Sequence, residues 1–188
     1  AMLWVGWFGF NAGSSWAADG LAGMAMLVTH ISAATAALTW MAIEWIKQGK
    51  PTVIGIATGM VAGLASITPA AGNVGPQGAI IIGILAGFIC FYATQAIKGF
   101  FNIDDSLDVF AVHGFGGILG TLSIAFFGHA GWYEQLSGVL VVGIYTLVTT
   151  ALIVVLVNMV VPIRVESDNE EVGLDQSEHG EKAYDLNS

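Results

Sequence analysis

Six long apolar runs, separated only by short polar breaks, dominate this chain of 188 residues. They occupy residues 1–14, 20–46, 52–69, 77–98, 107–127 and 137–161. A bilayer core about 30 Å thick needs about 20 apolar residues in helical form. The runs therefore predict an all-α, polytopic membrane bundle of six spans, the first truncated at its start. The breaks carry turn chemistry: Gly49-Lys50-Pro51, Thr68-Pro69, Gly75-Pro76, Asp104-Asp105-Ser106 and Gly128 to Gly131, with Pro162 closing the last run. The chain opens at Ala1 within an apolar stretch that has no charged n-region and no cleavage site, so this is not a signal peptide and the chain reads as a fragment.

Charge divides the chain in two. Only 10% of residues are charged, where a soluble domain carries about a quarter. Residues 1–161 hold six acids and three bases, whereas residues 162–188 hold eight acids and two bases. The expected domains are a transmembrane bundle over 1–161 and an acidic tail over 162–188. Five bases cannot neutralise a phosphate track, which argues against nucleic acid as a partner. The bases also orient the spans. Lys47 and Lys50 follow the second run, Lys98 the fourth, and Arg164 and Lys182 the sixth; the other connections have none. The positive-inside rule makes that side cytoplasmic and puts the tail there. Trp16, Trp45 and Trp132 sit near span ends, where interfacial aromatics belong. The one cysteine, Cys90, lies in an apolar run, closes no intrachain disulfide and has no metal-ligand spacing.

Small residues recur at four-residue spacing as Gly9/Gly13, Gly55/Gly59/Gly63, Gly83/Gly87 and Gly116/Gly120. Such pairs bare the backbone on one helix face and predict close helix packing. His113 is the residue that most constrains chemistry. It lies near the start of the fifth run among glycines, and an ionisable group within a span is a functional candidate. Desolvation disfavours its charged form and suits a neutral ring that donates or accepts a proton; a ring satisfied by a backbone carbonyl is the other reading. His30, midway along the second run beside Thr29 and Ser32, reads as structural. Glu44 is placed to reach the interface, Asp108 reads as a helix cap, and His129 and His179 read as solvated. The segment Gly6 to Ser15 combines aromatics with small polar residues. Aromatic faces attract cations and hydroxyls replace lost water, so it suits a mouth for a small cation; an interfacial aromatic belt fits the same composition.

Taken together, these residues resemble the Amt branch of the Amt/Rh ammonium transporters. The similarity rests on Gly6–Ser14 (GWFGFNAGS), Glu44-Trp45 through Gly49-Lys50-Pro51, Thr68-Pro69-Ala70 with Gly72, Asp108-Val109-Phe110 with Val112-His113-Gly114, and a tail of Gly173-Leu174-Asp175, His179-Gly180-Glu181 and Ala183-Tyr184. The resemblance implies an eleven-span fold whose first ten spans form two inverted halves, with this chain supplying spans six to eleven. It implies ammonium or ammonia transport, not catalysis, with no cofactor. It also implies a homotrimer in the plasma or inner membrane with one pore per subunit, and a PII-type signal protein as cytoplasmic partner. His113 matches the second-half member of a pore histidine pair, Phe10 a pore-gating phenylalanine and Ser14 an outer recruitment hydroxyl. Leu3, Val61 and Val109 match apolar pore-lining positions. The first-half histidine and its nearby aspartate are not in this sequence, so the chain alone is not expected to contain a complete pore. Two rival classes are an ammonium sensor signalling through the tail, and a redox protein with His113 and His30 on haem. An Rh-type gas channel is the nearest relative of the favoured reading, from which the tail motif distinguishes it.

Overall fold

Capping chemistry cuts the apolar runs into helices. Asp19 accepts a hydrogen bond from the Ala22 amide at 2.9 Å and starts the second helix. Gly49, at φ 79°, ends it with a bond from its N–H to the Trp45 carbonyl. Thr52 then caps the next helix through Gly55 N at 2.9 Å, and Pro76 opens the one after at a position whose missing N–H costs nothing. The resulting computed structural model describes residues 1–184. Its helices are α1 (Met2–Gly13), α2 (Gly20–Gln48), α3 (Val53–Ile67), α4 (Pro76–Gln95), α5 (Phe115–Phe126), α6 (Trp132–Asn158), α7 (Ser167–Val172) and α8 (Leu174–Ser177). A 3-10 turn, Thr68–Ala70, extends α3. Two π-helical turns, Ala96–Phe100 and Phe110–Gly114, follow α4 and precede α5.

The fold is all-α among the described residues. Four helical segments are long and apolar enough to cross a bilayer: Gly20–Gln48, Val53–Ala70, Pro76–Phe100 and Trp132–Asn158. The segments Phe110–Phe126 and Met2–Gly13 are shorter than the spans expected there. The chain forms two compact units, Ala1–Val139 and Leu140–Ser188. Residues 185–188 of the expected tail lie outside the described residues.

In the first unit, α2 packs against both α3 and α4, which also meet each other, and bare glycine backbone lets it do so. A Cβ on Gly63 of α3 would stand 2.7 Å from Ala36 Cβ and 2.8 Å from Ala33 Cα. One on Gly83 of α4 would stand 2.7 Å from the Ser32 carbonyl oxygen, and one on Gly87 would stand 2.7 Å from Thr39 Cβ. Ser32 adds a hydrogen bond from its Oγ to the Gly63 carbonyl at 2.9 Å. Gly116 and Gly120 of α5 press in the same way on Ser66 and Pro69 of the α3 end. The expectation for Gly9/Gly13 is not met within this chain: nothing lies within 4 Å of a Cβ at either position. The same spacing that closes α3 on α2 leaves that face of α1 open.

Two charged residues also depart from expectation. Glu44 turns inward and is 6% exposed. Its carboxylate accepts from Thr52 N at 2.7 Å, Thr52 Oγ1 at 3.1 Å and Trp40 Nε1 at 3.3 Å, so the start of α3 satisfies it where water was expected to. Asp108 does not cap. Asp105 takes that role by accepting from the Val109 and Phe110 amides, while Asp108 forms an ion pair with Lys98 at 2.8 Å.

The second unit folds its tail motif onto itself. Asp175 accepts from the Ala183 amide at 2.9 Å, and Glu181 N donates to the Asp175 carbonyl at 2.8 Å. The Ala183 hydrogen bond holds the Asp175 carboxyl below its ordinary range. Gly173 and Gly180 take positive φ at the bends, and His179 and Tyr184 are exposed.

Candidate functional site

Leu3, Trp7, Phe10 and Ser14 recur at three- and four-residue spacing along α1, so they share one face. Leu3 and Phe10 are 59% and 62% exposed on it. Trp7 is held more tightly. Its indole Nε1 donates to Thr68 Oγ1 at 2.7 Å, and Thr68 in turn donates to the Leu64 carbonyl at 2.7 Å. The chain of bonds fixes the ring at the α3 end. Its centroid lies 6.0 Å from Phe10 and 6.2 Å from His113. Trp7 therefore bridges two residues expected to share a site but separated by more than a hundred positions.

His113 is presented by the π turn rather than by a regular helix. Ala111 and Val112 of that turn are buried, Val112 against Trp40, Ala62, Cys90 and Phe91, and this anchorage turns His113 outward. Its Nδ1 lies 3.2 Å from the Val109 carbonyl oxygen. A carbonyl only accepts, so Nδ1 donates, and in the tautomer this selects, the second nitrogen, Nε2, is the acceptor. The backbone-carbonyl partner considered from sequence is present, yet it occupies one nitrogen only. Val109 is 51% exposed beside it, and Val61 is half-buried against the Trp40–Phe91 cluster. The wall from Leu3 to Val109 is thus apolar and aromatic, with one imidazole acceptor.

At one end of this row, a cavity of about 140 Å³ is lined by Phe10, Asn11, Ser14, Ser15 and Thr68, among others. The Ser14 hydroxyl donates to the Phe10 carbonyl at 2.7 Å, which leaves its oxygen free to accept. Asn11 is 7% exposed and donates through Nδ2 to Thr29 Oγ1 at 2.9 Å, tying α1 to α2 behind the cavity. In the connection beside it, Asp19 accepts from Ala22 N and Ser15 Oγ, and these bonds lower its pKa.

His30 lies elsewhere. Its ring sits 5.2 Å from Trp4 and 6.1 Å from Phe8, on a different side of α1 from the Leu3–Ser14 row. The two histidines therefore do not form a pair within the chain. No cluster of three or more His, Cys, Asp or Glu side chains suited to a metal occurs among the described residues. Trp7, Asn11 and Thr68 were not picked out individually from sequence. Trp7 read as part of an aromatic segment, although its register with Leu3, Phe10 and Ser14 was a usable signal.

The comparisons agree over nearly all of the chain. A model of the Ammonium Transporter Family matches residues 1–184. An ammonium transporter of Aquifex aeolicus is 44% identical over 98% of this chain and 47% of its own length. The ammonium transporter Amt1 of Archaeoglobus fulgidus is 45% identical over 98% of this chain and 50% of its own. The chain thus spans about half the length of the curated relatives it matches. Among solved structures, Candida albicans Mep2 matches with a TM-score of 0.78 at 32% identity, covering 89% of this chain and 42% of that one. A structure described as a sensor Amt protein matches with a TM-score of 0.82 at 27% identity, over 94% of this chain and 46% of its own.

Proposed function

Because this chain belongs to the Ammonium Transporter Family, we propose that it forms one side of a narrow apolar pore for ammonium or ammonia, as the second half of an inverted-repeat transporter. The observation that carries this reading is the row Phe10–Trp7–His113, two aromatic rings leading to a single imidazole acceptor in an otherwise apolar wall. Ammonium and potassium are alike in size and charge, so charge alone does not separate them. Ammonium can shed a proton and potassium cannot. An apolar passage penalises any bare ion, while a neutral molecule needs only a few polar sites. Phe10 and Ser14 gather the cation at the mouth through a ring face and a hydroxyl oxygen. Leu3, Val61 and Val109 keep the passage dry, and His113 Nε2 accepts an N–H within it. A second histidine, from the other half of the full-length protein, completes the polar site. In proteoliposomes, the full-length protein should take up ammonium and exclude potassium; comparable uptake of the two ions refutes the reading.

We further propose that the bundle over 1–161 lies in the plasma or inner membrane, that three copies assemble, and that the tail over 162–188 is cytoplasmic and regulatory. The acid-rich tail would resist burial in lipid, and all five bases fall on its side of the spans. A PII-type signal protein is the expected partner there. A sensor that signals through the folded Asp175–Ala183 loop is the second reading, favoured by the likeness to the sensor Amt structure. Protease added to sealed right-side-out vesicles should leave residues 165–188 intact until the vesicles are lysed. Cleavage before lysis reverses the orientation.

A further inference from the structure

We propose that Asp105 is a positioning residue for selectivity: together with the Lys98–Asp108 ion pair it fixes the π turn that presents Val109 and His113, and so sets how strictly potassium is refused. The inference rests on the ammonium-conducting reading above. A π turn holds an extra residue, is rare, and is frequently found at functional sites. The one carrying His113 is held by a single carboxylate. Its leading amides, which lack helical partners, are taken by two different oxygens of one carboxylate: Val109 N donates to Asp105 Oδ1 at 2.8 Å and Phe110 N to Asp105 Oδ2 at 2.9 Å. An asparagine offers one acceptor and sets an N–H₂ against the second amide.

Asp108 shows what the arrangement has to hold. Its φ is 56°, in the left-handed region that non-glycine residues rarely occupy and that persists where the surroundings over-determine it. Three contacts do so. Asp108 N donates to the Asp105 carbonyl at 3.1 Å, its carbonyl accepts from Val112 N at 2.8 Å, and its carboxylate meets Lys98 Nζ at 2.8 Å. Lys98 belongs to the other π turn, and Ile97 of that turn is buried in one cluster with Ala111 of the His113 turn. The ion pair therefore ties one π turn to the residue that leads into the other. If the extra residue of the His113 turn were lost, the ring would swing by about 100° around the helix axis. His113 and Val109 would then leave the wall that Trp7 and Phe10 share.

The test compares ammonium and potassium fluxes of the full-length protein in proteoliposomes for wild type, Asp105→Asn, Lys98→Met and Lys98→Arg, with size-exclusion profiles for each. Asp105→Asn should lower the ammonium-to-potassium ratio about tenfold or more, because small misplacements of a site cost that much. Lys98→Met should lower it less, and Lys98→Arg, which keeps the ion pair, should restore it. A merely structural role would reduce both fluxes together and leave the ratio alone. Should Asp105→Asn fail to assemble, the Lys98→Met and Lys98→Arg pair decides on its own. An unchanged ratio in the assembled variants overturns the proposal. A wild-type protein with no preference for ammonium overturns the conducting reading instead, and this proposal falls with it.

Discussion

Replacing His113 with alanine in the full-length protein is expected to abolish selective ammonium flux while leaving assembly intact. The ring stands on the surface of its unit, with Val109 O as its one hydrogen-bond partner among the described residues, so its removal empties no packed core. What is lost is the only imidazole acceptor on a wall of Leu3, Trp7, Phe10 and Val109. Leaving a polar group unsatisfied in such surroundings costs about 1–3 kcal/mol, which corresponds to roughly five- to 150-fold in occupancy. His30→Ala should do much less, since His30 sits with Trp4 and Phe8, away from the row. Ammonium uptake, competition by potassium and size-exclusion profiles of both variants make the comparison. Normal, potassium-excluding uptake by His113→Ala refutes the mechanism. Collapse of the assembly would make His113 a structural residue.

The helices were legible because their ends are written in local chemistry. Gly49, Thr52 and Pro76 act through φ, a hydroxyl and a missing N–H, none of which depends on the rest of the fold. What escaped depends on contacts distant in sequence. Gly9/Gly13 and Gly83/Gly87 have the same spacing, and only the neighbour that arrives decides which pair is closed. Glu44 looked like an interfacial acid until the first turn of α3 was brought over it. Asp105 and Asp108 are equally good caps by composition; the π turn selects Asp105 and frees Asp108 for Lys98. Apolar periodicity does not show a π turn, since one extra residue is lost in a run that is apolar throughout. For the site, His113 was legible from its place in an apolar run and Phe10 and Ser14 from an aromatic and hydroxyl segment, their pore roles being implied by the resemblance, whereas Trp7 became visible only when Thr68 fixed its ring between Phe10 and His113.

The same reasoning gives the largest expected effect on folding, at Gly83. In α4, this residue faces the Ser32 carbonyl oxygen and Thr35 of α2, where a Cβ would approach to 2.7 and 2.9 Å. The first of these neighbours is backbone, which cannot rotate away. It belongs to α2, and the same Ser32 carbonyl is also the nearest neighbour of Gly63 of α3, whose own carbonyl takes the Ser32 hydroxyl. Moving that carbonyl to relieve Gly83 would therefore disturb the α2–α3 contact as well. Overpacking of this kind costs about 1–3 kcal/mol and more where backbone must shift, so Gly83→Ala should lower the melting temperature and Gly83→Val should prevent a folded bundle. Intrinsic helix propensity points the opposite way, because glycine is the poorer helix former; a loss of stability is then attributable to packing. Gly23→Val in α2 is the matched control, since a Cβ there meets nothing within 4 Å. Thermal unfolding and size exclusion in detergent read both. A monodisperse Gly83→Val protein with the wild-type melting temperature would show that the α2–α4 contact is looser than these distances require.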